Sequence, residues 1–233
     1  MLSKKVDWQL IVLVCSLIII MIMGVRQSLG LFLEPISQFM KDGKEFFSFA
    51  IGFQAIIWGV VTFGLGILID KFGPQKVLAF GIICFASGIF LMSNPNNQLT
   101  LFSATSLMGF GLGGAGMATM VSIAGKVAPP EKRSFAMGLI AAAASFGQFA
   151  VVLPTMWMNK TFGWETSLIV LSIITISMLI LLPLLNNTNE KVNQKDSFGN
   201  ELQNTLLFSL KERNYILLIM GFFVCGFHVT FIG

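Results

Sequence analysis

The fold class this sequence predicts is an all-α integral membrane protein, and three observations predict it. Apolar runs near or above the roughly 20 helical residues that cross a ~30 Å hydrocarbon core recur along the whole chain. Hydrophobic residues make up 55% of the sequence and charged residues only 11%, against about 25% charged in soluble domains, and the mean hydropathy is +0.82. The basic residues, finally, crowd into alternate loops. Strands of a membrane barrel would alternate apolar and polar residues with period two, and these runs do not.

Seven spans are expected. The first, 9–33, is preceded by Trp8 at the expected interface, and the second, 47–69, ends in a Gly-, Asp- and Lys-bearing loop. The third, 77–93, is apolar throughout and stops at the turn Asn94-Pro95-Asn96-Asn97. The fourth, 99–125, holds Gly109, Gly111, Gly113, Gly114 and Gly116, read as points of close packing and bending, and Pro129-Pro130 comes after it. The fifth and sixth, 134–158 and 164–185, are flanked by Trp157 and Trp164. The seventh, 214–233, is read as the truncated start of a second transmembrane domain. The expected organisation is therefore a six-helix domain over 1–185, a cytoplasmic linker over 186–213 and that start. In the linker Glu190, Asp196, Glu201 and Glu212 balance Lys191, Lys195, Lys211 and Arg213, as in a solvated segment.

Charge fixes the expected orientation. With the N-terminus in the cytoplasm, the inner loops hold eleven basic residues: Lys4, Lys5, Lys71, Lys76, Lys126, Lys132, Arg133 and the four in the linker. The outer loops hold three, Lys41, Lys44 and Lys160. This is the positive-inside asymmetry, and it predicts a multi-pass protein of the plasma or inner membrane. The net charge of +4 is spread through short loops without a basic stripe, so a nucleic-acid partner is excluded. Cys15, Cys84 and Cys225 lie in apolar runs without metal-ligand spacing and read as buried thiols. No Cys/His cluster, paired intramembrane carboxylates or phosphate-cradling loop is present, so neither enzyme activity, a metal nor a cofactor is expected.

A repeat is visible. Ser48-Phe49-Ala50-Ile51-Gly52-Phe53 opens the second span, and Ser134-Phe135-Ala136-Met137-Gly138-Leu139 opens the fifth. Asp70-Lys71-Phe72-Gly73 leaves the second, and Asn159-Lys160-Thr161-Phe162-Gly163 leaves the fifth. Spans two and five are equivalent positions in a 3+3 inverted repeat, an arrangement common among transporters.

Polar residues inside spans need partners in hydrocarbon, so they mark either helix contacts or a pathway. Arg26 is the charged residue inside a span, with Gln27 beside it. A charge there costs on the order of 3 kcal/mol, and it reads as an anion contact, or as a snorkelling side chain or partner of Glu34. Gln54, Trp58 and Thr62 share one face of span two, and Ser145 and Gln148 one face of span five. The amides read as substrate contacts or interhelical hydrogen bonds. Ser172, Thr175 and Ser177 of span six are expected to bond back to their own helix. His228, the single histidine, reads as an interhelical donor or a proton carrier.

One loop carries a family resemblance. Gly66-Ile67-Leu68-Ile69-Asp70-Lys71-Phe72-Gly73-Pro74-Gln75-Lys76, between spans two and three, resembles the signature loop of the major facilitator superfamily. The resemblance implies the major facilitator fold, a six-helix bundle plus the start of helix 7, with spans one, two, four and five lining a central cavity. It also implies that Gly66, Asp70, Lys71, Gly73 and Lys76 form a conformational switch. Gly24-Val25-Arg26-Gln27-Ser28-Leu29-Gly30, Pro129-Pro130-Glu131-Lys132-Arg133, Gly163-Trp164 and Cys225-Gly226-Phe227-His228 are similar to the bacterial monocarboxylate transporter and oxalate/formate antiporter branch. That branch implies secondary transport of a small organic anion, with or without a coupling proton, completed by a missing C-terminal half. Arg26, Gln27, Gln54, Trp58, Gln148 and His228 are then the expected substrate contacts. No basic residue precedes the glycines of span four, and Pro154 is offset from the antiporter pattern, so symport and exchange both stay open. Carriage of drugs, sugars or other solutes, and a non-transporting membrane sensor or assembly protein, are the alternatives.

Overall fold

The computed structural model describes residues 8–40 and 43–188, with 216–217, 220–221 and 223–224; the side chains of 43, 63, 66, 67, 70–72 and 186–188 fall outside the description. The chain divides into two compact units, Met1–Lys191 and Val192–Gly233. The expected linker and seventh span lie mostly outside the described residues, so the architecture is that of the first unit.

Among its described residues are eight α-helices: α1 (Trp8–Ser28), α2 (Leu33–Met40), α3 (Gly43–Phe72), α4 (Pro74–Met92), α5 (Gln98–Ala115), α6 (Met117–Val127), α7 (Arg133–Phe162) and α8 (Trp164–Ser177). A 3-10 segment, Leu29–Phe32, joins α1 to α2, and α8 continues as a 3-10 helix over Met178–Thr188. Among the described residues, six segments are long and apolar enough to cross a membrane: Trp8–Met40, Lys44–Thr62, Pro74–Met92, Gln98–Val127, Pro130–Phe162 and Trp164–Leu185. The all-helical, six-span bundle expected from the sequence is thus present.

The loop expected between spans two and three is shorter than the sequence implied. Helix α3 runs on to Phe72 and α4 starts at Pro74, leaving Gly73 alone between them. Gly73 adopts φ 85°, ψ 152°, a region open essentially to glycine. Pro74 then supplies a first helical residue that needs no donor. Gly163 does the same between α7 and α8, at φ 83°, ψ 163°. Between α4 and α5, Asn97 caps α5, its side chain accepting from the Thr100 amide at 2.8 Å.

The repeat is borne by the helical frame. Trp8 and Gln98, Gly43 and Arg133, Phe72 and Phe162, and Pro74 and Trp164 begin or end matching helices, each pair 90 positions apart. Three spans per repeat oblige the second copy to enter from the opposite side, which makes the repeat inverted. The Ser-Phe-Ala openings do not share this register. Ser48 is the sixth residue of α3 and Ser134 the second of α7, one turn apart.

The repeats interlock crosswise, α1 against α7 and α3 against α5. Small residues bring the backbones together where no water drives association. A Cβ on Gly24 would meet the Gly147 carbonyl oxygen at 2.5 Å, and one on Gly147 would collide with the backbone of Ile20. A Cβ on Gly109 would lie 2.9 Å from the Gln54 carbonyl oxygen. The same device seals α4 to α5, where Gly81 faces Gly114. The buried face of α1 (Ile11, Cys15, Ile18, Ile22, Val25) follows helical spacing. Cys15 and Cys84 are free and buried; Cys225 lies outside the described residues.

Two local expectations are corrected. Ser172 does not bond to its own helix: its hydroxyl donates to the Ala86 carbonyl of α4 at 2.9 Å, fixing α8 to α4. Thr175 and Ser177 do bond back, to Leu171 and Ile174. Arg26 and Glu34 do not share a face, because the 3-10 segment turns the chain by about 80° relative to a continuous α-helix. Glu34 pairs instead with Lys44 at 3.4 Å on the exposed surface.

Candidate functional site

Arg26 occupies the last turn of α1, where the helix end favours a cation. Its side chain is half-buried and reaches towards α3, placing Cζ 4.8 Å from the Trp58 ring centroid. A guanidinium on an indole face gains about 0.5–2 kcal/mol. Arg26 thus has an aromatic platform and, among the described residues, no carboxylate partner. Its planar donor edge stays available for a bidentate acceptor.

Trp58 stands beside a break in the fourth span. Helix α5 stops at Ala115 and α6 begins at Met117, with Gly116 extended between them at φ −82°, ψ −169°. A Cβ on Gly116 would collide with the Leu112 carbonyl oxygen and approach Trp58 Nε1 to 3.4 Å. Glycine here makes room for both the break and the indole. Of the glycines read as bending points, Gly116 is where the helix breaks, while Gly109, Gly111, Gly113 and Gly114 pack against neighbours.

Gln54 lies one turn from Trp58 on the same face of α3. It is 2% exposed, and its Nε2 has no hydrogen-bond partner among the described residues. An unpaired buried donor costs about 1–3 kcal/mol. Thr62 leaves the polar stripe, its hydroxyl bonding back to the Trp58 carbonyl at 2.7 Å. Ser145 likewise bonds back to Ala141 at 3.3 Å.

Gln27 and Gln148 face a common open cavity between α1 and α7. Its volume is about 360 Å³, and Gly30, Leu31, Phe149, Val152 and Leu153 wall it. Asn159 Nδ2 donates to the Leu31 carbonyl at 3.3 Å and ties the 3-10 segment to α7. Arg26 and Gln27, adjacent on α1, therefore turn to positions 58 and 148, which are equivalent in the 90-residue repeat. The sequence pointed to the four polar or aromatic groups. It gave no reason to choose Phe149 among 23 phenylalanines, nor Leu31, Val152 or Leu153.

The residues expected to form a switch divide between two helices. Gly66, Asp70 and Lys71 lie in the last two turns of α3, with the Asp70 and Lys71 side chains outside the description. Lys76 is exposed in the first turn of α4. Gln75 Nε2 donates to the Leu182 carbonyl at 3.0 Å, anchoring this corner to the end of the sixth span. His228 lies outside the described residues.

Residues 10–233 match the family model described as the Major Facilitator Superfamily. The agnestins efflux protein AgnL12 of Paecilomyces divaricatus is 25% identical over 74% of this chain and 37% of its own length. The uncharacterized MFS-type transporter YcxA of Bacillus subtilis (strain 168) is 24% identical over 87% of this chain and 50% of its own. Dipeptide and tripeptide permease A of Erwinia pyrifoliae is 27% identical over 55% of this chain and 26% of its own. The chain spans half or less of the length of each.

Proposed function

Because this chain belongs to the major facilitator superfamily, we propose that it forms the first half of a secondary active transporter for a small, monocarboxylate-like organic anion. The carrying observation is Arg26, a cation inside a span, stacked on Trp58 without a carboxylate partner among the described residues. Retaining a charge in hydrocarbon costs on the order of 3 kcal/mol, and a fork of donors without an acceptor fits a carboxylate brought by the substrate. Gln54, with its unpaired buried amide, supplies a further donor from the Trp58 face of α3.

In this reading the N-terminus is cytoplasmic and the protein spans the cell membrane, as the eleven-to-three partition of basic residues supports. Transport proceeds by alternating access between two halves. The exposed apolar side chains of α3 and α7, such as Phe49, Ile56 and Phe146, supply a surface for the second half. Gly66, Asp70, Lys71, Gly73 and Lys76 act as the switch, and His228 is the candidate carrier of a coupling proton. Carriage of other solutes is the second reading, favoured by relatives named for agnestins efflux and for di- and tripeptides.

Counterflow in proteoliposomes of the full-length protein separates the two. Vesicles preloaded with an unlabelled monocarboxylate should accumulate the labelled acid from outside. Counterflow of only a neutral or cationic solute, a sugar, peptide or amine, would contradict the anion reading.

A further inference from the structure

We infer that the indole N–H of Trp58 donates to the same carboxylate that Arg26 holds, and that Gly116 is the positioning residue that keeps this N–H uncovered. The inference rests on the anion reading of Arg26 and adds a second donor to it. Three observations carry it.

First, the N–H is unpaired. An indole nitrogen can only donate, and a tryptophan inside a protein usually gives that hydrogen to a partner. Among the described residues Trp58 meets Arg26 with its ring and Thr62 through its carbonyl, while its N–H donates to nothing. The fully enclosed polar side-chain atoms without a partner among the described residues are Ser37 Oγ and Gln54 Nε2. The nitrogen of the half-buried Trp58 is not one of them, so it stays within reach of an incoming acceptor.

Second, Gly116 leaves that edge bare. Trp58 Nε1 is the side-chain atom nearest to where a Gly116 Cβ would stand, at 3.4 Å. Any other residue at this position sets a carbon against the N–H. The backbone is extended there, φ −82°, ψ −169°, so its conformation does not demand glycine. What glycine supplies is space.

Third, one small group reaches both donors. Arg26 Cζ is 4.8 Å from the Trp58 ring centroid. Nε1 lies within about 3 Å of that centroid, so it is at most about 8 Å from Cζ, and the guanidinium nitrogens extend about 1.3 Å from Cζ. Two hydrogen bonds of about 2.9 Å, made to carboxylate oxygens about 2.2 Å apart, bridge such a separation. A carboxylate standing off the indole edge, on the face that carries Arg26, therefore meets both groups. Trp58 is then platform and donor at once.

The test uses the full-length protein in detergent. Affinities of acetate, lactate and benzoate are measured by calorimetry, and the tightest of the three serves as the probe. Indole nitrogen–proton NMR signals are recorded with and without it, and the Trp58 signal is assigned by its loss in Trp58→Phe. The Trp58 indole proton should move downfield with the probe, as a hydrogen bond to a carboxylate forms. Trp58→Phe keeps an aromatic platform without the N–H and should weaken the probe by at least about tenfold, the worth of one hydrogen bond to a charged group. A methyl at Gly116 would also collide with the Leu112 carbonyl oxygen, so its effect is read in two backgrounds. Gly116→Ala should weaken the probe in the wild type and cost nothing further in Trp58→Phe, because both changes remove one interaction. If no wild-type indole proton moves with the probe, the inference is overturned and the anion reading stands, a result that requires no variant to fold. Unchanged affinity in Trp58→Phe, or the same cost of Gly116→Ala in both backgrounds, would overturn it as well. Absence of binding by all three acids would overturn the anion reading, and this inference with it.

Discussion

Gly73 and Gly163 hold the same backbone conformation 90 residues apart, φ 85°, ψ 152° and φ 83°, ψ 163°, each the single residue between two helices. The two glycines are the hinges of matching corners in the two repeats. They turn the long helices α3 and α7 directly into α4 and α8, which sets where the Asp70-Lys71 corner and its counterpart stand. Replacing Gly163 by Ala should destabilise the protein by about 1–3 kcal/mol through backbone strain, since open space surrounds it. A lowered melting temperature in detergent checks this, with Gly30→Ala, also in open space but without positive φ, as the unperturbed control.

The seam between α1 and α7 makes a second prediction. Gly147→Ala forces a methyl into the backbone of Ile20 and should cost about 1–3 kcal/mol. Gly138→Ala, on the same helix but facing open space, should melt within a degree or two of wild type. Equal melting temperatures for the two variants would contradict the close approach.

Topology is testable by labelling. A cysteine placed at the exposed Asn96 should react with an impermeant maleimide in intact cells, whereas one at the exposed Glu131 should react only after permeabilisation. Cys15 and Cys84 are buried and contribute little background. The reverse pattern would invert the orientation.

Asp70→Asn removes a charge at the corner proposed as the switch and keeps the size of the side chain. In the full-length transporter it should lower the maximal rate by about tenfold or more, with substrate affinity within about threefold. A wild-type rate would remove Asp70 from the cycle.

The span pattern was legible because hydrocarbon imposes one rule on every residue of a crossing helix. Phe-Gly at 72–73 and 162–163 likewise announced the repeat, as positive φ demands glycine. The Ser-Phe-Ala hexapeptides misled, because α3 and α7 admit similar Phe- and Ala-bearing turns at several heights. Pairing Arg26 with Glu34 assumed an unbroken α-helix, and the 3-10 segment Leu29–Phe32 undid it. Of the site, Arg26, Gln27, Gln54, Trp58 and Gln148 stood out because polar groups are rare in spans. The apolar walls did not, since nothing in their own identity separates a cavity-facing Leu153 or Phe149 from a lipid-facing one.

The central claim is that Arg26 grips a carboxylate through its planar fork while resting on Trp58. Initial uptake of a labelled monocarboxylate by the full-length protein, compared for wild type, Arg26→Lys and Arg26→Gln, tests it most directly. Lysine keeps the charge but loses the bidentate geometry, so the account predicts that uptake falls at least about tenfold in both variants. Wild-type uptake in Arg26→Lys would mean that charge alone suffices, as for a snorkelling anchor, and would contradict the account.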